Sequence, residues 1–441
     1  MPKRWNLEKQ VDENAVCRIA TDEDMPQVLK LWQQCFDDNI KFVLWYFARY
    51  WKAEQTIGIF SESSKADSKE TSEEKQDETL LASAQVIPYE VKVRDTAMSC
   101  GYIVGVDTAP EARHRGYAKY LLKTCLQLQR EQKQPISLLM PFEGQFYYRY
   151  GWPFCYFHQQ IMIEPQELRC AAKRWGNVRK VELFAALPEL KRIYHIFTEQ
   201  YHGTVNRSDL QWKLQLEDAQ LEHTVCFLIE DEQQQVQGYF LWTPLKGKCY
   251  VREMAWCHAR AKAGMLHYLM QNVAEGDLLW LELPEDDALC FQLAAGKKTV
   301  VLYPFLMARI TDVRLCLEQL HYPVQKASLL LKVQDDFAEW NTGVYHMIVQ
   351  DGCASVNKIS DLSLQAELDS SIPAVSLSIE ALSQLVMGAR SAEELWKQEL
   401  LFGSLDTGAS FDGDDIVYRK KSLQLLQQLW PKQKNYINEY Y

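Results

Sequence analysis

The segment from Val106 to Leu122 joins the end of a strand to the start of a helix through a short basic turn, Arg113-His114-Arg115-Gly116. Residues Ser99 to Val106 are mostly small or β-branched, and Ala118, Leu121, Leu122 and Cys125 recur at helical spacing behind Gly116. The turn is therefore predicted to cap a buried helix. First-turn amides have no internal partner and the helix macrodipole adds partial positive charge there, so the junction reads as an anion site. Gly116 lets a ligand approach the backbone where a Cβ would block a phosphate, and Ala118 keeps the next turn narrow. Arg113 and Arg115 supply donors and charge. A plain basic helix cap has the same appearance. One Gly and no Lys-Ser/Thr pair exclude a Walker loop and a dinucleotide fingerprint.

With 441 residues the chain exceeds one ordinary core, and two or three domains are expected. No run of about eighteen apolar residues occurs, and the opening Met1-Pro2-Lys3-Arg4-Trp5-Asn6 has no apolar h-region, so a cytoplasmic protein is expected, with no membrane partner. A net charge of −11 argues against nucleic acid and anionic membranes and suits a cationic substrate, although an acidic surface also serves solubility. The 12 cysteines lie scattered from Cys17 to Cys353 with no C-x-x-C pair, and the 9 histidines form no H-x-x-x-H pair; no metal site is expected.

Along the chain, Val16 to Ile19 reads as a strand, and Thr21-Asp22-Glu23-Asp24 as a cap for a helix carrying Val28, Leu29, Leu31, Trp32 and Cys35. Thr56 to Phe60 is a strand. Ser61 to Glu78 is almost wholly polar and reads as a disordered acidic loop within a hairpin, since it has little apolar area to offset the entropy of ordering. Leu80 to Val93 and Met98 to Val106 are strands, the helix after Gly116 runs to about Gln132, and Ile136 to Met140 is a further strand. That order predicts a mixed sheet with helices on its faces.

The pattern Arg113-x-x-Gly116-x-Ala118 behind a strand ending Val106-Asp107-Thr108-Ala109-Pro110 resembles the acyl-CoA pyrophosphate loop of the GNAT acetyltransferase superfamily. Farther on, Glu143-Gly144-Gln145-Phe146-Tyr147-Tyr148-Arg149-Tyr150-Gly151-Trp152 is similar to the signature of its Eis (enhanced intracellular survival) branch. From about Ile161 a second αβ unit repeats the order, but its matching turn, Cys257 to Gly264, lacks the Arg-x-x-Gly-x-Ala pattern. After Thr311 come a short helix, strands near Ser328–Val333, Gly343–Gln350, Cys353–Lys358 and Leu362–Leu368, and helices near Ile379–Gly388, Ala392–Leu401 and Lys421–Trp430. The resemblance thus implies an α/β and α+β fold: a GNAT domain (1–160, with the loop at 61–78), a degenerate GNAT-like domain (161–310) and a sterol-carrier-protein-like α+β domain (311–441).

The same resemblance implies an N-acetyltransferase using acetyl-CoA as cosubstrate. Its CoA contacts fall on Val106, Asp107, Thr108, Arg113, His114, Arg115, Gly116, Tyr117, Ala118, Lys119, Phe142 and Glu143. Tyr147 takes the part of general acid toward the leaving thiolate, and the α-carboxylate of Tyr441 that of general base. Asp38 and Glu439 match acidic positions of the acceptor pocket. The implied acceptor is an amine of an aminoglycoside-like polyamine or a lysine side chain, and the implied assembly a homo-hexamer. His114 stands where the branch usually has Arg, and Tyr440 is the penultimate residue, so the acid beside the terminus is shifted. The rival class is a non-catalytic acyl-CoA or lipid-binding protein. Packing alone also accounts for the aromatic tail, and a solvated helix-end loop for Asp38.

Overall fold

The N-terminal part is built on a long antiparallel hairpin. Strands β1 (Glu8–Asp12), β2 (Ala15–Ile19), β3 (Thr56–Ser61), β4 (Leu80–Val93) and β5 (Thr96–Thr108) pair in sequence, and β6 (Ile136–Leu139) adds parallel to β5. Helices α1 (Met25–Cys35) and α2 (Ile40–Tyr50) precede β3, and α3 (Tyr117–Glu131) is the crossover from β5 to β6. The structure is a computed structural model and describes residues 8–61, 78–274, 276–293, 299–359, 372–402 and 414–440. The acidic loop expected at 61–78 lies outside the described residues from 62 to 77, as do the strand expected at Leu362–Leu368 and the terminal Tyr441.

The helix starts expected from sequence are present. Asp24 accepts hydrogen bonds from the Thr21 amide (2.7 Å) and hydroxyl (3.0 Å), and Leu31 and Trp32 of α1 are buried. Leu121, Leu122, Cys125 and Leu126 form the buried stripe of α3. Gly105 of β5 has a positive φ of 60°, and a Cβ there would stand 2.4 Å from the Trp32 ring, so this position admits α1 only as glycine.

After α4 (Gly144–Tyr148) comes β7 (Phe154–Ile163), and the second unit contains β8 (Asn177–Val181), α5 (Leu187–Thr198), β9 (Thr204–Val205), α6 (Asp209–Leu221), β10 (Val225–Glu230), β11 (Val236–Leu245), β12 (Lys248–Trp256), α7 (Ala259–Asn272), β13 (Leu278–Pro284) and β14 (Thr299–Ile310). The two units share one 14-stranded sheet, in which β14 sits between β6 and β7. Met307 to Ile310 pair with β6, while Thr299 to Met307 pair with β7, whose other edge pairs with β13. The boundary expected after residue 160 therefore falls inside β7. Periodicity detects a strand but not its partner, so the insertion of β14 into the first unit's sheet had no local signal.

The third unit has α8 (Val313–Gln319) and a five-stranded sheet of β15 (Lys326–Gln334), β16 (Gly343–Gln350), β17 (Cys353–Ile359), β18 (Ala374–Ser378) and β19 (Leu401–Phe402). Helices α9 (Ile379–Val386), α10 (Ala392–Lys397) and α11 (Asp414–Leu429) complete it. The helix expected to reach Leu401 stops at Lys397. Glu399 takes a φ of 57°, and Leu401 pairs instead with Leu377 of β18.

The tail from Asn435 to Tyr440 is threaded between the units. His202 ties it down: Nε2 accepts from the Arg94 amide (2.8 Å), which places the ring proton on Nδ1, opposite Asn435 Oδ1 (2.9 Å). Asn435 in turn donates to the carbonyls of Cys155 (2.9 Å) and Met387 (3.0 Å). Burial, and then the Arg94 charge, push the imidazole down to about 4. Because the folded value lies below the unfolded value near 6.5, this stability is complete above pH 6.5 and is lost as pH falls toward 4. The shift corresponds to about 3 kcal/mol. Melting curves from pH 8 to pH 4 should show that fall, and His202→Gln, which keeps an acceptor for Arg94, should flatten it. An identical slope in the variant would remove His202 as the cause.

Candidate active site

The site follows from how two parallel strands part. β5 and β6 pair only from Cys100–Ile136 to Ile103–Leu139. Beyond that point β5 stays with β4, through an irregularity that sets Gln85 against Val104 and Ser83 against Asp107, while the chain after β6 turns away toward Phe142. The opening is a cleft of about 750 Å³. One wall is the strand edge Val106, Asp107 and Thr108 with the turn residues Arg113, His114, Gly116, Tyr117, Ala118 and Lys119. The other wall is Phe142, Phe146, Arg149 and Tyr150. Cys35 and Phe36, at the end of α1, close one side, and the Cys35 thiol donates to the Thr108 carbonyl at 3.4 Å.

The turn leaves its backbone amides open to the cleft. His114 and Gly116 both take positive φ, 66° and 83°, and Gly116 is the N-cap of α3. A Cβ on Gly116 would meet no protein atom within 4 Å, so the space above it is open to a ligand. Among the described residues the backbone amides from His114 to Lys119 donate to no protein acceptor; the first bond of the helix is Tyr120 N–H to the Gly116 carbonyl, at 3.0 Å. Six free amides, a helix N-terminus and exposed Arg113 and Lys119 fit a diphosphate. The Tyr117 hydroxyl donates to Asp12 at 2.8 Å and so fixes the helix start to the β1–β2 turn.

Two of the residues expected to touch CoA are not on the cleft walls. Arg115 lies toward Asp12, whose carboxyl is held below its usual range by the Asn14 amide, the Tyr117 hydroxyl and the Arg115 charge. Glu143 caps α4, accepting from the Gln145 amide at 3.2 Å. Conversely, Phe146, Arg149, Tyr150, Cys35 and Phe36 line the cleft and were not singled out from sequence. The α4 aromatic run was the available signal for the first three.

Tyr147 is buried, with ring centroids 5.6 Å from Phe142 and 5.0 Å from Phe146, directly behind the second wall. Burial pushes its phenol well up, so it holds its proton at neutral pH. Tyr148 is 44% exposed and faces away. Asp38 accepts from the Trp32 indole at 2.8 Å, between α1 and α2. Glu439 is buried: Arg207 Nε lies 2.7 Å from its Oε1, Gln215 donates to its Oε2, and its backbone carbonyl accepts from Tyr102 of β5 at 3.1 Å. The carboxylate expected at Tyr441 lies on a residue outside those described.

Residues 16–155 match the acetyltransferase (GNAT) domain, residues 203–310 match a second acetyltransferase (GNAT) domain, and residues 313–438 match the sterol carrier protein domain. The chain thus carries two GNAT acetyltransferase domains followed by a sterol-carrier-like domain, the mixed α/β architecture expected from its sequence. A probable N-acyltransferase from Enterococcus faecalis is similar at a TM-score of 0.78 and 19% identity, covering 97% of this chain and 99% of that one. A GCN5-related N-acetyltransferase from Anabaena variabilis is similar at 0.76 and 19% identity (97% and 100% covered), and Eis1 from Mycobacterium abscessus at 0.69 and 14% identity (97% and 100% covered). At these identities the likeness is one of fold. No curated protein matches the chain. GNAT domains in general use acetyl-CoA as cosubstrate and act on amines. Among the described residues there is no cluster of three or more His, Cys, Asp or Glu placed to hold a metal, and no helix long and apolar enough to cross a membrane.

Proposed function

We propose that the protein is an Eis-like N-acetyltransferase that moves acetyl from acetyl-CoA to an amine of an aminoglycoside-like polyamine or a lysine side chain. The observation that carries this reading is the cradle itself: six unpartnered amides at the start of α3, opening onto the free edge of β5. The thioester supplies an activated acetyl group and a thiolate leaving group. His114 to Lys119 hold the diphosphate. The β5 edge from Val106 to Thr108 offers amides along the pantetheine arm and toward the carbonyl on which charge develops. Tyr147, proton-bound behind Phe142 and Phe146, donates its phenolic proton to the departing sulfur. The carboxylate of Tyr441 is the family's candidate for general base and Asp38 a candidate acid toward a cationic acceptor, whereas both carboxylate oxygens of Glu439, the other candidate, are engaged by Arg207 and Gln215.

The test is thiol release from acetyl-CoA by the purified chain against polyamines, aminoglycosides and lysine peptides. Turnover with at least one amine is expected. Tight CoA binding with no turnover for any amine would instead make the protein a non-catalytic acyl-CoA binder.

A further inference from the structure

Asp107 is 3% exposed, yet it lines the cleft four residues beyond the last β5–β6 pair at Ile103. Its Oδ1 is fully engaged, accepting from the Ser83 amide (2.8 Å) and the Ser83 hydroxyl (2.7 Å) across the β4–β5 pair. Its Oδ2 is buried and has no hydrogen-bond partner. Among the described residues it is the only such orphan atom on a residue that lines the cleft. Most buried carboxyl oxygens are hydrogen-bonded, so an orphan oxygen on a cleft residue calls for a partner. Asp107 pairs in register with Ser83, two residues from Gln85, whose side chain meets Tyr46 and the Tyr50 carbonyl of α2. It therefore faces the α1–α2 side of the sheet, where Cys35 and Phe36 also border the cleft.

Acetylating an alkylammonium takes two protons from its nitrogen. One leaves before attack, to free the lone pair. The other leaves once that lone pair has bonded to the thioester carbonyl carbon and the carbon–sulfur bond has broken. The sulfur takes one proton; the other needs a base. We infer that Asp107, in place of the Tyr441 carboxylate, is the catalytic proton acceptor of this site, taking through Oδ2 the first proton of the incoming ammonium and passing it to water. The inference rests on the transferase reading above. The groups bonded to the carboxyl are the Ser83 amide and hydroxyl from β4 and its own backbone amide, while from α1 the Cys35 thiol bonds the adjoining Thr108 carbonyl. No charged side chain contributes: burial, opposed by the Ser83 bonds, pushes the Asp107 carboxyl up to about 7, the range in which a general base works best at neutral pH.

The experiment is a pH profile of kcat/KM for an amine that the native protein acetylates, run on the native chain, Asp107→Asn and Ser83→Ala. Native rates should rise with pH through an inflection near 7. Asp107→Asn should lose that inflection and about 10²-fold or more in kcat, with CoA affinity by calorimetry within about twofold. Ser83→Ala removes a bond to the charged form and should move the inflection up by roughly one pH unit, with the high-pH rate within about threefold. This shift is unavailable to a merely structural carboxyl, and it decides the matter if Asp107→Asn does not fold. Native turnover with Asp107→Asn within threefold at every pH, or an unmoved inflection in Ser83→Ala, overturns the assignment and leaves the transferase reading standing. Absence of turnover by the native chain with every amine removes both.

Discussion

Replacing Tyr147 with Phe is expected to lower kcat by roughly 10²- to 10³-fold while leaving the KM for acetyl-CoA within about twofold and the melting temperature nearly unchanged. The argument is one of subtraction. The ring is held by its contacts with Phe142 and Phe146, which phenylalanine keeps, and among the described residues the hydroxyl makes no hydrogen bond that its loss would break. What the variant lacks is a proton. If sulfur must leave as a bare thiolate, the penalty falls on the chemical step and not on binding. Steady-state kinetics by thiol release, with Tyr148→Phe as a control at an exposed position, separates the two. Equal kcat for the native chain and the Tyr147 variant would end the role proposed for this residue.

Arg207→Ala should destabilise the fold by about 3–5 kcal/mol and lower the melting temperature by roughly 10 °C. The guanidinium is fully buried, 2.7 Å from Glu253 of β12 and 2.7 Å from Glu439 of the tail, and it lies over the rings of Tyr194 and Trp212. Glu253 also accepts from Tyr239 (2.6 Å) and Asn438 (2.8 Å). Burial pushes the Glu439 carboxyl up, and the Arg207 charge opposes that shift. Without the cation, two carboxyls face each other in a dry interior, and the simplest relief is for the tail to leave. Amide exchange over Asn435–Tyr440 should therefore rise together with the loss of melting temperature. Arg207→Lys, which keeps the charge but not the fork geometry, should recover only part of both. A melting temperature within about 2 °C of native would show that the network is dispensable.

The readable parts of the site were those written within one stretch of chain. The junction before α3 announced itself because a helix cap, its glycine and its apolar stripe are local features. The α4 aromatic run was legible for the same reason, and so was the α1 start at Thr21–Asp24. Arg149 and Tyr150 stood in that run, yet nothing local distinguished a residue on the cleft wall from one behind it, and Tyr147 turned out to be behind it. Arg115 and Glu143 matched the pattern equally well but do not line the cleft, Glu143 standing at the cap of α4.

From its amino acids alone the chain specified the glycine-capped helix start, the order of its three units and the aromatic segment that carries Tyr147. Each depends on neighbours within about a dozen residues, where periodicity and capping act. Tertiary structure decided the rest: the parting of β5 from β6, the insertion of β14 between β6 and β7, the meeting of Arg207 with Glu439, and the burial of Asp107 against Ser83. These join residues up to 232 positions apart. Strand pairing and burial, which set both the cleft and the proton affinity of Asp107, arise only when distant segments share one sheet.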